Sequence, residues 1–463
     1  LEYMLDAAKD LPMRQLLTVP SCVPSVPNYE NSGAVFDAKI YQKFLNQDQV
    51  IGLGEVMDYK GVIDGEQRIW DVLDVAKKQN CYIQGHAPLL RGPQLSAYLS
   101  TGIQSDHEAR KVDEIIEKYR QGMWIDIRDA NTNHNMPNMI QAFQKIGNYD
   151  RVSFSSDDRR SDVTKRLGHL DGIIRHAVAC GMPLIEAYIS ASYRPCLEAG
   201  IKHLGAIAPG YVADFNILSD VDTVEAVYFE GKCVARKGKL LEEIQTPHTR
   251  DVLTQTVNVP DFTLEQFAIQ SNNPQENLHV VAYESYGSSI TYLEEGLFPV
   301  VHGRVDLSSQ KDTMFAAVIN RHHKPSYSLA LVKNFGIDHG AIASTVGHDS
   351  HNVTIVYDTP ENAMQALQQL QKQKGGFCAV EDGQVIASLA LPIAGLMSDK
   401  DIDEVIEEIK QMNQALVQLG NTFIDNPISR ITILSLLVCP YVKISDMGIV
   451  MTEEKQFVPL KVS

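Results

Sequence analysis

A chain of 463 residues with a formal net charge of −17 is too long for one ordinary core, and too acidic to neutralise a nucleic-acid backbone or an anionic membrane surface. Hydrophobic residues make up 44% and charged residues 21%, a soluble globular composition, and no apolar stretch reaches the ~20 residues that span a bilayer. Seven cysteines, at 22, 81, 180, 196, 233, 378 and 439, are odd in number and never spaced C-x-x-C, which suits a reducing cytoplasm and argues against a disulfide framework or a zinc ribbon.

Glu2 to Lys9 reads as an amphipathic helix with Met4, Leu5 and Ala8 on one face. Short apolar runs then alternate with helical ones. Strands are expected at Leu16–Val19, Val50–Leu53, Cys81–Gln84, Gly102–Ser105, Trp124–Arg128 and Val152–Ser155. Helices are expected at Ala38–Leu45, Ile69–Lys78, Pro93–Ser100, Ala109–Arg120 and Met139–Lys145. Such βα units imply a parallel sheet with right-handed crossovers, and the absence of a G-x-G-x-x-G after any strand favours a barrel over an open dinucleotide-binding sheet. A helical stretch Leu170–Cys180 follows. The Pro209-Gly210 turn then leads to a strand after Asp214 and a hairpin, Val224–Phe229 and Lys232–Arg236, around Glu230-Gly231. A polar segment from Gln245 to Asn277 leads to a second α/β region. Its expected strands are Phe315–Ile319, Ser328–Val332, Asn352–Val356, Phe377–Val380 and Val385–Leu391, and its expected helices Glu361–Gln373 and Ile402–Leu419. The apolar run Ile431–Val442, broken by Ser435, Cys439 and Pro440, reads as a buried strand.

Four side chains able to bind a metal stand at or just beyond successive predicted strand ends: Glu55, His86, His107 and Asp157. In an α/β barrel such positions converge on one mouth. Two carboxylates and two imidazoles suit a divalent ion such as Mn²⁺, Fe²⁺ or Zn²⁺ and offer no thiolate to a softer one. Asp158 and Glu108 lie directly beside two of them and could carry protons. Glu108 also reads as an acid at the start of the helix predicted from Ala109, where the helix dipole favours a carboxylate. His322-His323 and the stretch from His348 through Asp349 to His351 form a second polar concentration that could line a pocket or bind a further ion. His134, His169, His176, His203, His248, His279, His302 and His339 carry no such context and read as structural or solvated.

Several segments, taken in order, resemble the bacterial-type adenine deaminases of the amidohydrolase superfamily. They are Pro20-Ser21-Cys22-Val23-Pro24, Gly52-Leu53-Gly54-Glu55-Val56-Met57, Gly85-His86-Ala87-Pro88, Gly102 to Glu108, and Ser156-Asp157-Asp158-Arg159. Gly205 to Asp214, Arg321-His322-His323, Gly340 to Ser344 with His348 to Asn352, and Leu391 to Asp399 complete the set. The resemblance implies a (β/α)₈ TIM barrel lacking its N-terminal units over 1–200, a small β-sandwich remnant over 201–245, and a C-terminal α/β (α+β) domain over 246–463. It implies hydrolysis of adenine to hypoxanthine and ammonia by metal-activated water attacking C6, with Mn²⁺ or Fe²⁺ preferred and Zn²⁺ admissible. Glu55, His86, His107 and Asp157 would be the metal ligands, and Asp157, Asp158 and Glu108 the proton carriers, with the relay left open between Asp157 and Asp158. His348, Asp349, His351 and His323 would contact the substrate. The superfamily's first-strand His-x-His pair does not occur in these residues, and a chain without it is expected to turn over weakly or not at all. A small-molecule substrate, a cytoplasmic location and no nucleic-acid or membrane partner are expected, and a homo-oligomer stays open. Two other readings remain: a non-catalytic purine-binding protein or partner subunit, and another cyclic-amidine or amide hydrolase.

Overall fold

The computed structural model describes residues 1–130, 135–220, 223–244, 251–285, 288–310, 312–421 and 427–462. His134, His248 and the start of the polar segment at Gln245 lie outside the described residues. The chain divides into two compact units, one of residues 1–22 and 36–248, the other of residues 23–35 and 249–463.

In the first unit, parallel strands β1 (Leu17–Pro20), β2 (Val50–Val56) and β3 (Tyr82–Gly85) pair in chain order, as do β4 (Ser105–Asp106), β5 (Trp124–Arg128) and β6 (Val152–Ser155). The Gln104 amide donates to the Ile83 carbonyl at 3.0 Å, so β3 and β4 are joined and the six strands run in uninterrupted sequence. Period-two alternation sets the two faces of this wall. Ile125, Ile127, Val152 and Phe154 pack on the helices Val112–Arg120, Met136–Ile146 and Leu170–Ala179. Asp126, Arg128 and Ser153 take the alternate positions on β5 and β6, giving the other face a polar character. Val19, Leu53, Val56 and Ile83 pack on the helices Ala38–Leu45, Gln67–Lys78 and Gly92–Ser100. Leu53 and Val56 are three residues apart yet share one core, because the β2–β3 register shifts between them. A local irregularity of this kind re-aims side chains at a strand end, here at Glu55. A separate antiparallel sheet, β10-β9-β8-β7, is built from β7 (Phe215–Asp220), β8 (Thr223–Phe229), β9 (Lys232–Arg236) and β10 (Lys239–Leu240).

The second unit is built on a nine-stranded sheet. Its strands are β11 (Gln275–Tyr283), β12 (Thr291–Val301), β13 (Arg304–Val305), β14 (Thr313–Ile319), β15 (Tyr327–Lys333), β16 (Ala341–Ser344), β17 (Val353–Tyr357), β18 (Gly376–Glu381) and β19 (Gln384–Ala390), in the order β13-β12-β11-β15-β14-β17-β16-β18-β19. Along β14, Met314, Ala316 and Val318 enter one core with the helix Ile402–Gln418, while Phe315, Ala317 and Ile319 enter the other with the helix Pro360–Lys372. The sheet is therefore covered on both faces, which is why β14 reads as a continuous apolar run. A small meander of β20 (Val442–Ser445), β21 (Gly448–Met451) and β22 (Gln456–Val458) adds Val442, Ile444 and Ile449 to the first of these cores.

Two expectations are corrected here. The run Ile431–Val442 is not a strand: a helix occupies Pro427–Ile433 and β20 starts only at Val442. Leu434, Leu436 and Leu437 between them are buried in turn and irregular backbone, and a short, mostly apolar run carries no period that would separate these states. The helix expected from Ala109 begins at Val112 with Lys111 as its cap, so Glu108 precedes the helix and is not its N-terminal acid. The capping-box carboxylate is Glu114. Among the described residues no helix is long and apolar enough to cross a membrane.

Candidate metal centre

Glu55 is the penultimate residue of β2, His86 follows β3 and His107 follows β4. Their ligand atoms form a triangle: Glu55 Oε2 lies 3.2 Å from His86 Nδ1 and 3.3 Å from His107 Nε2, and the two nitrogens lie 3.3 Å apart. Edges of this length separate donors that stand about 2.0 Å from a common tetrahedral centre, the distance usual for imidazole and carboxylate ligands. Burial pushes the Glu55 carboxyl up, but its bonds to His107 and His86 outweigh that and hold it well below the ordinary carboxylate range. Burial lowers His86, whereas for His107 the same burial is overcome by Glu55 and the imidazole is pushed up to about 9. One carboxylate oxygen and two imidazole nitrogens converging at these distances form the kind of donor set that a divalent cation takes. The residues fit a divalent cation.

Backbone and side-chain contacts set this triangle. Tyr98 Oη donates to the Val56 carbonyl at 2.6 Å and accepts the His86 amide at 2.9 Å, tying the ends of β2 and β3. At Gly85 an added Cβ would stand 2.1 Å from the Ser105 carbonyl oxygen, so only glycine allows β3 and β4 to approach this closely. Beyond β6, Asp157 adopts a left-handed backbone with φ 44°. Ligand atoms of His107, Glu108 and Asp157 form a second group within 4.8 Å of one another. Arg128, the last residue of β5, joins these acids. Its guanidinium pairs with Glu108 and Asp157, and its Nη2 lies 3.4 Å from Asp158 Oδ1.

Arg128 is not among the residues expected at the site, although a charged residue closing the predicted strand Trp124–Arg128 stands where His107 and Asp157 stand on their neighbours. His323, His348, Asp349 and His351 all belong to the second unit. His348 pairs with its neighbour Asp349, and the His351 backbone amide donates a hydrogen bond to the Gly347 carbonyl at 2.6 Å. His323 is exposed on a turn. Arg321 beside it is structural: its guanidinium binds the carbonyls of Thr256, Ala394 and His351.

Residues 1–240 match the Amidohydrolase family, and residues 288–456 match the Adenine deaminase C-terminal domain. The adenine deaminase of Methanothrix thermoacetophila is 34% identical over 461 residues, covering 99% of this chain and 80% of that protein. The chain belongs to the adenine deaminase family. Other members match as evenly: the adenine deaminase of Oleidesulfovibrio alaskensis is 35% identical over 99% of this chain and 79% of its own length, and that of Halalkalibacterium halodurans is 34% identical over 97% and 77%. The Adenine deaminase C-terminal domain match spans strands β12 to β21 of the second unit, and the amidohydrolase match contains all four residues expected as ligands.

Proposed function

We propose that the chain is a metal-dependent adenine deaminase that hydrolyses adenine to hypoxanthine and ammonia, with Mn²⁺ or Fe²⁺ as its ion. The observation that carries this reading is the Glu55, His86 and His107 triangle at adjacent strand ends of a chain about one-third identical to adenine deaminases over nearly its whole length. Glu55, His86 and His107 would hold the ion, which when bound would supply Lewis acidity that lowers the pKa of water towards neutrality. Asp157 would take one water proton as oxygen adds at C6 of the purine and return it to the departing amine, while the second water proton ends on N1 as C6 becomes a carbonyl, so that one water enters and one ammonia leaves. Asp157 is favoured over Asp158 for this relay because its ligand atom groups with those of His107 and Glu108. Arg128 orients Asp157 and Glu108 through its guanidinium. We further read β1–β6 as consecutive strands of a (β/α)₈ wall, supported by their unbroken parallel order and by the polar residues on the face turned from the helices, and β7–β10 as part of a β-sandwich.

The test is ammonia release and hypoxanthine formation from adenine by purified protein loaded with Mn²⁺, with bound metal measured on the same sample. Turnover of adenine with about one or more ions bound is the expected outcome, and it would replace the expectation of weak or no turnover drawn from the lack of a His-x-His pair in these residues. A metal-loaded protein that leaves adenine intact while hydrolysing another cyclic amidine would overturn the substrate assignment.

A further inference from the structure

We propose that Lys118, a residue outside the ligand set, is the positioning residue that fixes the separation of the His86 and His107 imidazoles; this rests on the metal-centre reading above. Lys118 lies on the helix Val112–Arg120 and is 0% exposed, as are Asp106 and Glu114. A buried ammonium with three protons needs three acceptors. Its three are Asp106 Oδ2 at 2.8 Å, Glu114 Oε1 at 2.6 Å and the carbonyl oxygen of Ala87.

Two of these acceptors sit next to the imidazoles. Ala87 directly follows His86 and Asp106 directly precedes His107. The other carboxylate oxygen of Asp106 accepts the Ala87 amide at 2.9 Å and the Glu108 amide at 3.1 Å, which binds the two loops directly. Glu114 accepts the Leu89 amide at 2.8 Å and, with its other oxygen, those of Arg110 and Lys111 at 3.1 and 3.2 Å. The ammonium is therefore the common point of a network gripping residues 87 to 89 after β3 and residues 106 to 111 after β4. A neutral side chain in its place would strand two buried carboxylates, whose repulsion and hydration would drive the loops apart. The ion needs its donors about 2 Å from one centre, so a small separation of the loops loosens its ligand shell.

The experiment compares wild type, Lys118→Met, and the triple variant Lys118→Met, Asp106→Asn, Glu114→Gln, which leaves no charge stranded and keeps the fold testable if the single variant is insoluble. Each is titrated with Co²⁺ against a chromogenic chelator, and its visible absorption spectrum is recorded. Both variants are expected to bind Co²⁺ about 10–100-fold more weakly, the usual loss when a group supporting a ligand is removed, with a displaced ligand-field band: the single variant through repulsion of the stranded carboxylates, the triple through loss of the shared ammonium donor that ties the two loops. Wild-type affinity within twofold and a superimposable spectrum in either folded variant would overturn the proposal. Failure of wild type itself to take up Co²⁺ would overturn the metal-centre reading, and this proposal with it.

Discussion

At the scale of single residues, the proposed centre depends on the charge balance among Glu55, His86 and His107. Glu55→Gln keeps the shape of the side chain and removes the charge that balances the two imidazoles. It is expected to lower metal affinity by more than the ~10–100-fold typical of an outer partner, as elemental analysis after dialysis would show. Asp157→Asn should differ in kind, retaining the ion but losing ~10²–10⁴-fold in adenine turnover, the usual worth of a positioned acid or base. Equal metal loss in both variants would place Asp157 in the ligand set instead of the relay. Away from the site, Lys443 is buried against Tyr283, donates to the Ser289 carbonyl at 2.8 Å, and is lowered by burial to about 8. An unfolded lysine titrates near ~10.4, so between these two values the unfolded chain holds more protons and stability rises with pH. The charged amine is thus a cost at neutral pH. Lys443→Met is expected to flatten the rise in unfolding midpoint across that window and to raise stability at pH 7 by about 1–2 kcal/mol, the low end for replacing a buried charge with a packed apolar group. An unchanged slope would refute this.

At the scale of elements, strand spacing carries the functional geometry. The close approach at Gly85 brings β3 against β4, and the register shift near Glu55 turns that carboxylate to the imidazoles. Gly85→Ala must move the Ser105 carbonyl, which should cost about 1–3 kcal/mol, as overpacking does. It should also reduce bound metal, since His86 and His107 leave these two strands. Thermal unfolding and metal content measured together test the link, and normal metal content in a destabilised protein would break it. Five of the six strands of the wall were legible in the sequence because each is a short, mainly apolar run ending at a polar residue or a turn, whereas β4, expected at Gly102–Ser105, is the two-residue polar strand Ser105–Asp106. β11 and β12 were not legible. β12 contains Glu294, Glu295, Gly296 and Pro299, residues that weaken any strand pattern, and its place in the sheet comes from pairing with β11 along nine residues.

At the scale of the whole molecule, the chain enters the second unit twice, at Val23–Val35 and again from Thr249. The earlier segment is integral there, although it falls within the span 1–200 expected for the barrel. The backbone and side-chain amides of Asn31 each donate to the buried carboxylate of Asp446 at 2.9 Å, and the Asn31 carbonyl accepts Asn352 Nδ2 at 2.8 Å. Glu30 caps the turn by accepting the Ser25 and Val26 amides at 2.7 and 3.1 Å. Asn31→Ala removes one bond to a buried charge and is expected to cost about 1.5–3 kcal/mol, read as a lowered unfolding midpoint of the full chain. No change would mean that Asp446 finds another donor.

The sequence by itself determined the strand and helix rhythm, the strand-end places of Glu55, His86, His107 and Asp157, and the family, because period, turn chemistry and motif order are local properties of the chain. Tertiary structure alone decided which of these polar groups meet. Glu114 and Lys118 have the i, i+4 spacing of an ordinary solvent-facing ion pair, and only the packing of their helix over the loops after β3 and β4 buries them and supplies Asp106 as a third charge. Arg128 likewise becomes the partner of Glu108 and Asp157 through the register of β5 and β6. Contacts of this kind depend on distances between strands that are remote in sequence, and no local pattern encodes those distances.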